Sequence, residues 1–181
     1  MPNITTAELY QALPGFLSAP KDIASVLQLC LRPDYGQRIF PDEITLTRQN
    51  GIPGERWSRA PWLKLPNGSP DPRIQVSILG KRVMDAVWRD RDTPHPGDTM
   101  IADMDFSHEN MPVGQLLQAG TAVIRVSDVF NDACVKWKTR YGADAKTFIT
   151  IPEHIKYRLR GILCEVIQDG TVTLDDRLTK I

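Results

Sequence analysis

The sequence predicts a β-rich α+β domain built as a mostly antiparallel β-barrel with a few short helices. Many short segments alternate apolar and polar residues with the period of two that is typical of strands, as Val76 and Ile78 or Ile124 and Val126 do. Turn dipeptides such as Asn50-Gly51 separate these segments. Short strands that are joined by tight turns, with few long helices between them, are typical of barrels.

The N-terminal residues predict a helix that precedes the barrel. Thr5 and Glu8 fit a capping box, and the apolar residues that follow predict a short amphipathic helix ending at Pro14-Gly15. We interpret residues 1–22 as a helical extension and residues 23–181 as a single barrel-like domain.

The strands begin after this extension. Ile23, Leu27 and Leu29 share one face of the first predicted strand, and Ile44 and Leu46 share a face of the second. Further strands are predicted at residues 74–78, 100–106, 116–129 (interrupted at Gly120), 157–167 and 171–174.

Three segments between these strands complete the prediction. Residues 61–72 are rich in Pro, Gly, Asn and Ser and predict a long surface loop. Residues 82–88 fit either a strand or a short helix, because periodicity does not separate the two. Asp169-Gly170 is the strongest hairpin signal in the chain.

Cys134 is the strongest candidate for chemistry. Asn131 and Asp132 are good N-cap residues, so we expect Cys134 in the first turn of a short helix that ends near Gly142. Unpaired backbone N–H groups and nearby cations (Lys136, Lys138 or Arg140) favour thiolate over thiol. A thiolate attacks sulfur and binds soft metals. The alternative is that Cys134 is a small buried apolar residue.

Composition excludes several classes of protein. Lys plus Arg and Asp plus Glu each number 22, so the net charge is zero and no bulk positive field attracts nucleic acid or an anionic membrane. No segment approaches the roughly 20 apolar residues of a membrane span, and residues 1–9 do not resemble a secretion signal. Three widely spaced cysteines without a C-x-x-C pattern indicate free thiols, so we expect a cytoplasmic protein whose Cys30 and Cys164 pack as structural residues.

Absent motifs narrow the function further. The chain has no P-loop, no G-x-G-x-x-G after a strand, no G-x-S-x-G and no H-E-x-x-H, which argues against nucleotide-binding folds, α/β hydrolases and zincins. The histidines His95, His108 and His154 lie beside polar residues or proline, where we expect solvated side chains.

The order of several short motifs resembles the MOSC domains, named after the molybdenum-cofactor sulfurase C-terminus. The motifs are Leu31-Arg32-Pro33, Gly36-Gln37-Arg38, Gly51-Ile52-Pro53-Gly54-Glu55-Arg56-Trp57, Arg73-Ile74-Gln75-Val76-Ser77, Pro96-Gly97-Asp98, Ser107-His108-Glu109-Asn110-Met111-Pro112-Val113-Gly114, Cys134-Val135-Lys136, Arg140-Tyr141-Gly142 and Leu159-Arg160-Gly161-Ile162. The resemblance runs from Ile23 to Asp176. Family members often carry Gly before the cysteine and His shortly upstream, whereas this chain has Ala133 and Asp132.

The resemblance implies a MOSC, or pyruvate-kinase-barrel-like, β-barrel in which Cys134 carries sulfur as a persulfide or binds the molybdenum of a pterin cofactor. It implies a small molecule or a sulfur-donor protein as partner and, at the level of the family, pyridoxal phosphate binding. The residues that we expect to hold the anionic part of a cofactor are Arg32, Arg56, Arg73, Asn110, Lys136 and Arg140.

Two alternatives stay open from the sequence. The first is a sulfur-transfer or molybdenum-dependent enzyme, and the second is a non-catalytic binding module with a structural cysteine. In either case we expect one pocket where the start of the Cys134 helix, the Arg56 loop and residues 107–114 converge. Oligomeric state has no signature in the sequence.

Overall fold

A closed barrel of seven strands forms the centre of the fold in the computed structural model, which describes residues 2–181. The strands in chain order are β1 (Ile23–Leu29), β2 (Glu43–Leu46), β3 (Val76–Gly80), β4 (Met100–Ala102), β5 (Leu116–Ala119), β6 (Ala122–Val126), β7 (Ile162–Gln168), β8 (Gly170–Thr173) and β9 (Arg177–Lys180). The barrel order is β1-β4-β3-β7-β6-β5-β9, and β2 pairs with β8 in a separate two-stranded sheet.

The barrel is mostly antiparallel, as predicted. Among the strands of residues 2–181, β3 and β4 form the one parallel pair, and the other pairs are antiparallel. The helix that follows β3 carries the chain back to start β4, as a parallel pair requires.

Within residues 2–181, five α-helices accompany the barrel: α1 (Thr6–Leu17), α2 (Lys81–Val87), α3 (Val135–Tyr141), α4 (Ala143–Thr150) and α5 (Pro152–Ile155). Residues 82–88 therefore form mainly helix rather than strand. Leu9 of α1, Trp137 of α3 and Phe148 of α4 pack with Leu79 and Ile101 of the barrel in one apolar cluster. This cluster covers one side of the barrel with helices.

Side chains fill the barrel interior. In β6, Ala122, Ile124 and Val126 are buried in the barrel core, as their spacing predicts. Arg125 points away from this core and forms an ion pair with Glu165 at 2.6 Å. Because the interior is packed with apolar side chains, a ligand site has to be built from the loops around the barrel.

The predicted inward face of the first strand is confirmed at Leu29 and is wrong at Ile23 and Leu27. Ala24, Val26 and Leu29 are buried, whereas Ile23 and Leu27 are 46% and 44% exposed. The pairing of β1 with β4 has a register shift between Val26 and Gln28, so the alternation of inward and outward side chains is interrupted there. A bulge of this kind changes which residues face inward.

The predicted hairpin at Asp169-Gly170 does not form, because β7 pairs with β3 and β6 whereas β8 pairs with β2. Gly170 is not among the glycines with positive φ, which a two-residue type I′ turn requires. The Asp169 carboxylate accepts a hydrogen bond from the Arg48 backbone N–H at 2.9 Å. The chain thus leaves the barrel at this point and enters the small sheet.

The capping box of α1 is confirmed, since Thr5 and Glu8 each accept a hydrogen bond from the backbone N–H of the other. The predicted end at Pro14-Gly15 is wrong, because α1 continues to Leu17. Proline removes one backbone donor, but the chain beyond it is held by tertiary contacts. Arg82 of α2 donates to the Gly15 carbonyl at 2.6 Å.

Candidate functional site

A cleft of about 550 Å³ lies beside the barrel. Its walls come from the loop after β1, the 3₁₀ turn Arg56–Ser58 with the residues after it, the loop before β4 and the start of α3. The basic side chains that line it are Arg32, Arg38, Arg56, Lys136, Arg140 and Arg160, and the acidic ones are Asp34, Asp98 and Asp132. The excess of positive charge favours an anionic ligand.

Cys134 lines this cleft and is exposed. It occupies the N-cap position of α3, so helical residues begin at Val135 rather than before the cysteine. The prediction that Asn131 and Asp132 cap the helix is wrong, because Asn131 turns away and donates to the Arg160 carbonyl at 3.3 Å. The helix ends at Gly142, as predicted.

Ala133 holds an unusual backbone conformation directly before Cys134. Its φ is 56°, in the left-handed region that glycine adopts most readily, and its side chain is 1% exposed. The glycine that MOSC domains often carry here suits this conformation better than alanine does.

The structure brings Cys134 together with four of the predicted binding residues, Arg32, Arg56, Lys136 and Arg140. Lys136 and Arg140 are carried by α3 itself, while the other two come from loops far apart in sequence.

Arg73 and Asn110 do not line this cleft. Arg73 binds the Asp71 and Asp128 carboxylates at 2.7 and 3.1 Å, and the hydrogen bonds that it donates to Asp71 raise its pKa. The Asn110 amide is bonded to other protein groups, so the prediction that residues 107–114 share the pocket is wrong.

The cations of the cleft differ in how they are held. Arg32 pairs with Glu55, whose side chain is 3% exposed, at 2.8 Å. The Arg56 guanidinium lies 4.4 Å from the centre of the Tyr35 ring, and Lys136 lies 5.4 Å from the same ring. Burial is the main cause that lowers the pKa of Arg38, followed by repulsion from Arg140.

Several buried polar atoms around the cleft lack a hydrogen-bond partner in the described part of the chain. They include the Nε atoms of Arg38, Arg56 and Arg160 and the Oδ2 atom of Asp98. Buried polar groups in native proteins are almost always hydrogen-bonded, so this concentration of unpartnered atoms marks a place for a ligand or ordered water.

Arg38, Asp98 and Arg160 line the cleft but are not among the residues that the sequence predicted to bind a ligand. Each of them lies in a short motif that supported the MOSC resemblance, namely Gly36-Gln37-Arg38, Pro96-Gly97-Asp98 and Leu159-Arg160-Gly161. The signal was therefore present in the motifs, although their residue types alone did not separate site residues from structural ones.

Two of the three histidines are buried rather than solvated. His95 is 3% exposed and lies between the Phe40 and Trp88 rings, and burial lowers its pKa to about 4. His154 is 4% exposed and packs against Phe148. The prediction of solvated histidines is wrong for both, because each ring packs against aromatic side chains, one of which (Phe40 or Tyr10) comes from a distant segment.

The other two cysteines are buried, as predicted, at 1% exposure for Cys30 and 0% for Cys164. Burial raises the pKa of Cys30 to about 11 and raises that of Cys164 as well. Within residues 2–181, no cluster of three or more His, Cys, Asp or Glu side chains has the arrangement of a metal site. None of the helices in this part of the chain has the length and apolar character needed to cross a membrane.

Comparison with solved structures identifies the fold. YuaD from Bacillus subtilis superposes with a TM-score of 0.56 at 16% identity, over 86% of this chain and 94% of YuaD. YiiM from Escherichia coli superposes with a TM-score of 0.57 at 17% identity, over 87% of this chain and 69% of YiiM. This chain shares their fold.

A third structure, described only as a hypothetical protein, superposes with a TM-score of 0.60 at 19% identity, over 88% of this chain and 69% of its own. No family model matches the sequence, and no curated protein matches it. At these identities the likeness is one of fold.

Proposed function

We propose that this chain is a MOSC-type protein that binds a phosphate-bearing molybdenum–pterin cofactor in the cleft, with Cys134 as persulfide carrier or molybdenum ligand. The shared fold and the ordered motifs from Ile23 to Asp176 support the proposal. The observation that carries it is that an exposed thiol lines a cleft where basic side chains outnumber acidic ones. In this cleft the phosphate of the cofactor would contact the basic side chains, and its molybdenum, or a transferred sulfur, would contact the thiol.

The residues of the cleft fit such a cofactor. Its volume lies within the range of roughly 300 to 1,000 Å³ that is typical of small-molecule sites. Arg56, Lys136 and Arg140 would hold the phosphate, and the unpartnered Nε of Arg56 is a donor that phosphate oxygens would satisfy. When bound, molybdenum supplies two-electron redox chemistry, which the side chains alone lack.

The sulfur-carrier form of the proposal needs no metal. The Cys134 thiolate attacks the outer sulfur of a donor persulfide, R–S–SH. A new S–S bond forms at Cys134, the S–S bond of the donor breaks, and the donor leaves as R–S⁻. The sulfane sulfur moves without an external oxidant, and Lys136 and Arg140 line the same cleft as the thiol.

A second candidate function is a binding module without covalent chemistry. It is favoured by the surroundings of Cys134, because no hydrogen bond to its sulfur occurs within residues 2–181. A general base within hydrogen-bond reach is the usual partner of a catalytic nucleophile.

Anaerobic purification of the chain from its own host tests the proposal. Molybdenum is measured by elemental analysis, pterin by fluorescence after oxidation, and persulfide on Cys134 by mass spectrometry of thiol-blocked peptides. We expect either molybdenum with pterin or a Cys134 persulfide, and loss of the molybdenum or persulfide in Cys134→Ser. Pyridoxal phosphate is added as a second phosphate-bearing compound that competes with the pterin cofactor for binding in the cleft.

A matched pair of arginine variants tests the role of the cleft. Arg56→Gln removes a cleft cation and should reduce pterin retention at least tenfold, whereas Arg125→Gln removes a cation from the Glu165 pair outside the cleft and should not. Pterin binding without molybdenum or persulfide would favour the binding module. Absence of all three would show the proposal to be wrong.

A further inference from the structure

The cleft holds more positive charge than its carboxylates neutralise. Two of its basic side chains are paired, Arg32 with Glu55 at 2.8 Å and Arg160 with Asp98 at 2.7 Å. Among residues 2–181, the other basic side chains of the lining form no ion pair; they are Arg38, Arg56, Lys136 and Arg140. The unpaired carboxylates of the lining are the exposed Asp34 and Asp132, so the cations keep an excess of two charges.

These unpaired cations come from separate segments and lie near one another. The Arg56 guanidinium and the Lys136 ammonium lie 4.4 and 5.4 Å from the centre of the same Tyr35 ring. Burial, followed by repulsion from Arg140, lowers the pKa of Arg38. The Nε atoms of Arg38 and Arg56 are buried without a hydrogen-bond partner in the described residues. Donors that are charged and unpartnered favour an anion whose oxygens accept from them.

A nucleophile lines the same cleft. Cys134 is exposed, and Lys136 and Arg140 follow it on α3. An anion held by these cations therefore reaches the part of the cleft where the thiol lies. If that anion carries a sulfane sulfur, binding brings a sulfur donor to the group that accepts the sulfur.

We propose that the sulfur donor for Cys134 is a small dianion of the thiosulfate class, whose sulfonate oxygens bind the unpaired cations of the cleft. This inference rests on the sulfur-carrier form of the proposed function and names its donor class. The two negative charges of thiosulfate match the excess of two positive charges. Guanidinium groups also match the geometry of sulfonate oxygens, as they do that of phosphate.

The transfer step balances without an oxidant. The Cys134 thiolate attacks the outer, sulfane sulfur of thiosulfate, and a new S–S bond forms at the cysteine. The S–S bond of thiosulfate breaks, and its electron pair leaves with sulfite. Cations that hold the sulfonate end stabilise the negative charge that grows on the leaving group.

Transfer of sulfur from thiosulfate to cyanide by the full chain tests the inference. Cyanide removes the sulfane sulfur from Cys134 as thiocyanate, which is measured as its red iron complex, and restores the thiolate. We expect the wild-type protein to form thiocyanate at least about tenfold faster than Cys134→Ser does. Sulfate has the same charge but no sulfane sulfur, so it should inhibit by competition. A wild-type rate no higher than that of Cys134→Ser, or no competition by sulfate, would overturn the inference.

Arg140→Gln tests the role of the cations. It should lower kcat/KM for thiosulfate at least about tenfold, because a charged contact to the dianion is lost. Lys138→Gln is the matched control, since Lys138 is an exposed cation on the same helix that does not line the cleft, and it should stay within about twofold. Equal losses in the two variants would overturn the inference.

Iodoacetamide, an uncharged reagent, separates anion binding from the reactivity of the thiol. Its rate of reaction with Cys134 should change by less than about threefold in Arg140→Gln. An equal loss for iodoacetamide and thiosulfate would overturn the inference. If Arg140→Gln fails to fold, the wild-type comparison and the sulfate competition decide.

Failure of this inference is distinguishable from failure of the proposed function. Protein from its own host that carries a Cys134 persulfide, but that takes no sulfur from thiosulfate, would keep the carrier function and exclude this donor class. Molybdenum and pterin are measured independently of either result.

Discussion

Lys180 Nζ donates a hydrogen bond to Asn110 Oδ1 at 3.0 Å and thereby joins β9 to the turn that precedes β5. The amide nitrogen of Asn110 donates to the Lys21 and Asp105 carbonyls, each at 2.8 Å. Asn110 is 6% exposed, and both ends of its amide are bonded. Its side chain therefore connects three segments of the chain instead of facing a ligand.

Asn110→Ala should lower the free energy of unfolding by about 2 to 3 kcal/mol, because three hydrogen bonds are lost and two carbonyls lose a donor. Urea denaturation measures the change. Gln49→Ala, at an exposed position, should stay within about 0.5 kcal/mol of the wild type. A loss of cleft binding in Asn110→Ala without a loss of stability would contradict this assignment.

Cys134 should be the first of the three thiols to react with an alkylating reagent. It is exposed, whereas Cys30 and Cys164 are buried and burial raises the pKa of each thiol. Brief treatment of the native protein with iodoacetamide, followed by peptide mapping, should label Cys134 and leave the other two unmodified until urea is added. Labelling of Cys30 or Cys164 at the same rate would show the prediction to be wrong.

Ala133→Gly should change stability by less than about 1 kcal/mol. Relief of the left-handed conformation, about 1 to 2 kcal/mol, offsets the loss of a buried methyl group and the higher entropy of unfolded glycine. Ala145→Gly is the matched control, because Ala145 is equally buried but lies in α4. Ala145→Gly should lower the free energy of unfolding, measured by urea denaturation, by about 2 kcal/mol. Equal losses in both variants would argue against relief of strain at Ala133.

Stability should fall as the pH falls from about 6.5 towards 4. Burial lowers the pKa of His95 from its ordinary value near 6.5 to about 4, so the unfolded chain binds a proton before the folded protein does. The stability associated with neutral His95 is fully present above pH 6.5, and about 3 kcal/mol of it is lost by pH 4. Urea denaturation between pH 7 and 4.5 measures this slope, above the range in which Glu8 titrates.

His95→Asn should flatten that slope, because the amide oxygen replaces Nδ1 as the acceptor for the Gly97 N–H without binding a proton. His108→Asn is the control, since His108 is far more exposed than His95 and only partial desolvation, followed by repulsion from Arg158, lowers its pKa. His108→Asn should reduce the pH dependence of the free energy of unfolding by less than His95→Asn does. An unchanged slope in His95→Asn would mean that another group is responsible.

Local patterns in the sequence predicted those features that depend on neighbouring residues. The capping box at Thr5 and Glu8, the inward face of β6 and the end of α3 at Gly142 each depend on a few consecutive residues. The same holds for the closeness of Cys134, Lys136 and Arg140, which one short helix carries.

Tertiary structure decided which distant groups meet. Arg73 and Arg38 are both arginines in motifs, yet Arg73 is neutralised by Asp71 and Asp128 while Arg38 enters the cleft. Likewise, His95 is buried because Phe40 and Trp88 cover it.

The β-rich class, the strands and helices with clear apolar periodicity, and the thiol at the start of a helix were all predictable from the order of the amino acids. That order did not predict the β1 bulge, the path of the chain after β7, or the pairing of Asp98 with Arg160. Those features depend on the pairing of strands and loops that lie far apart in the chain. Their free energy comes from contacts that exist only once the barrel has closed.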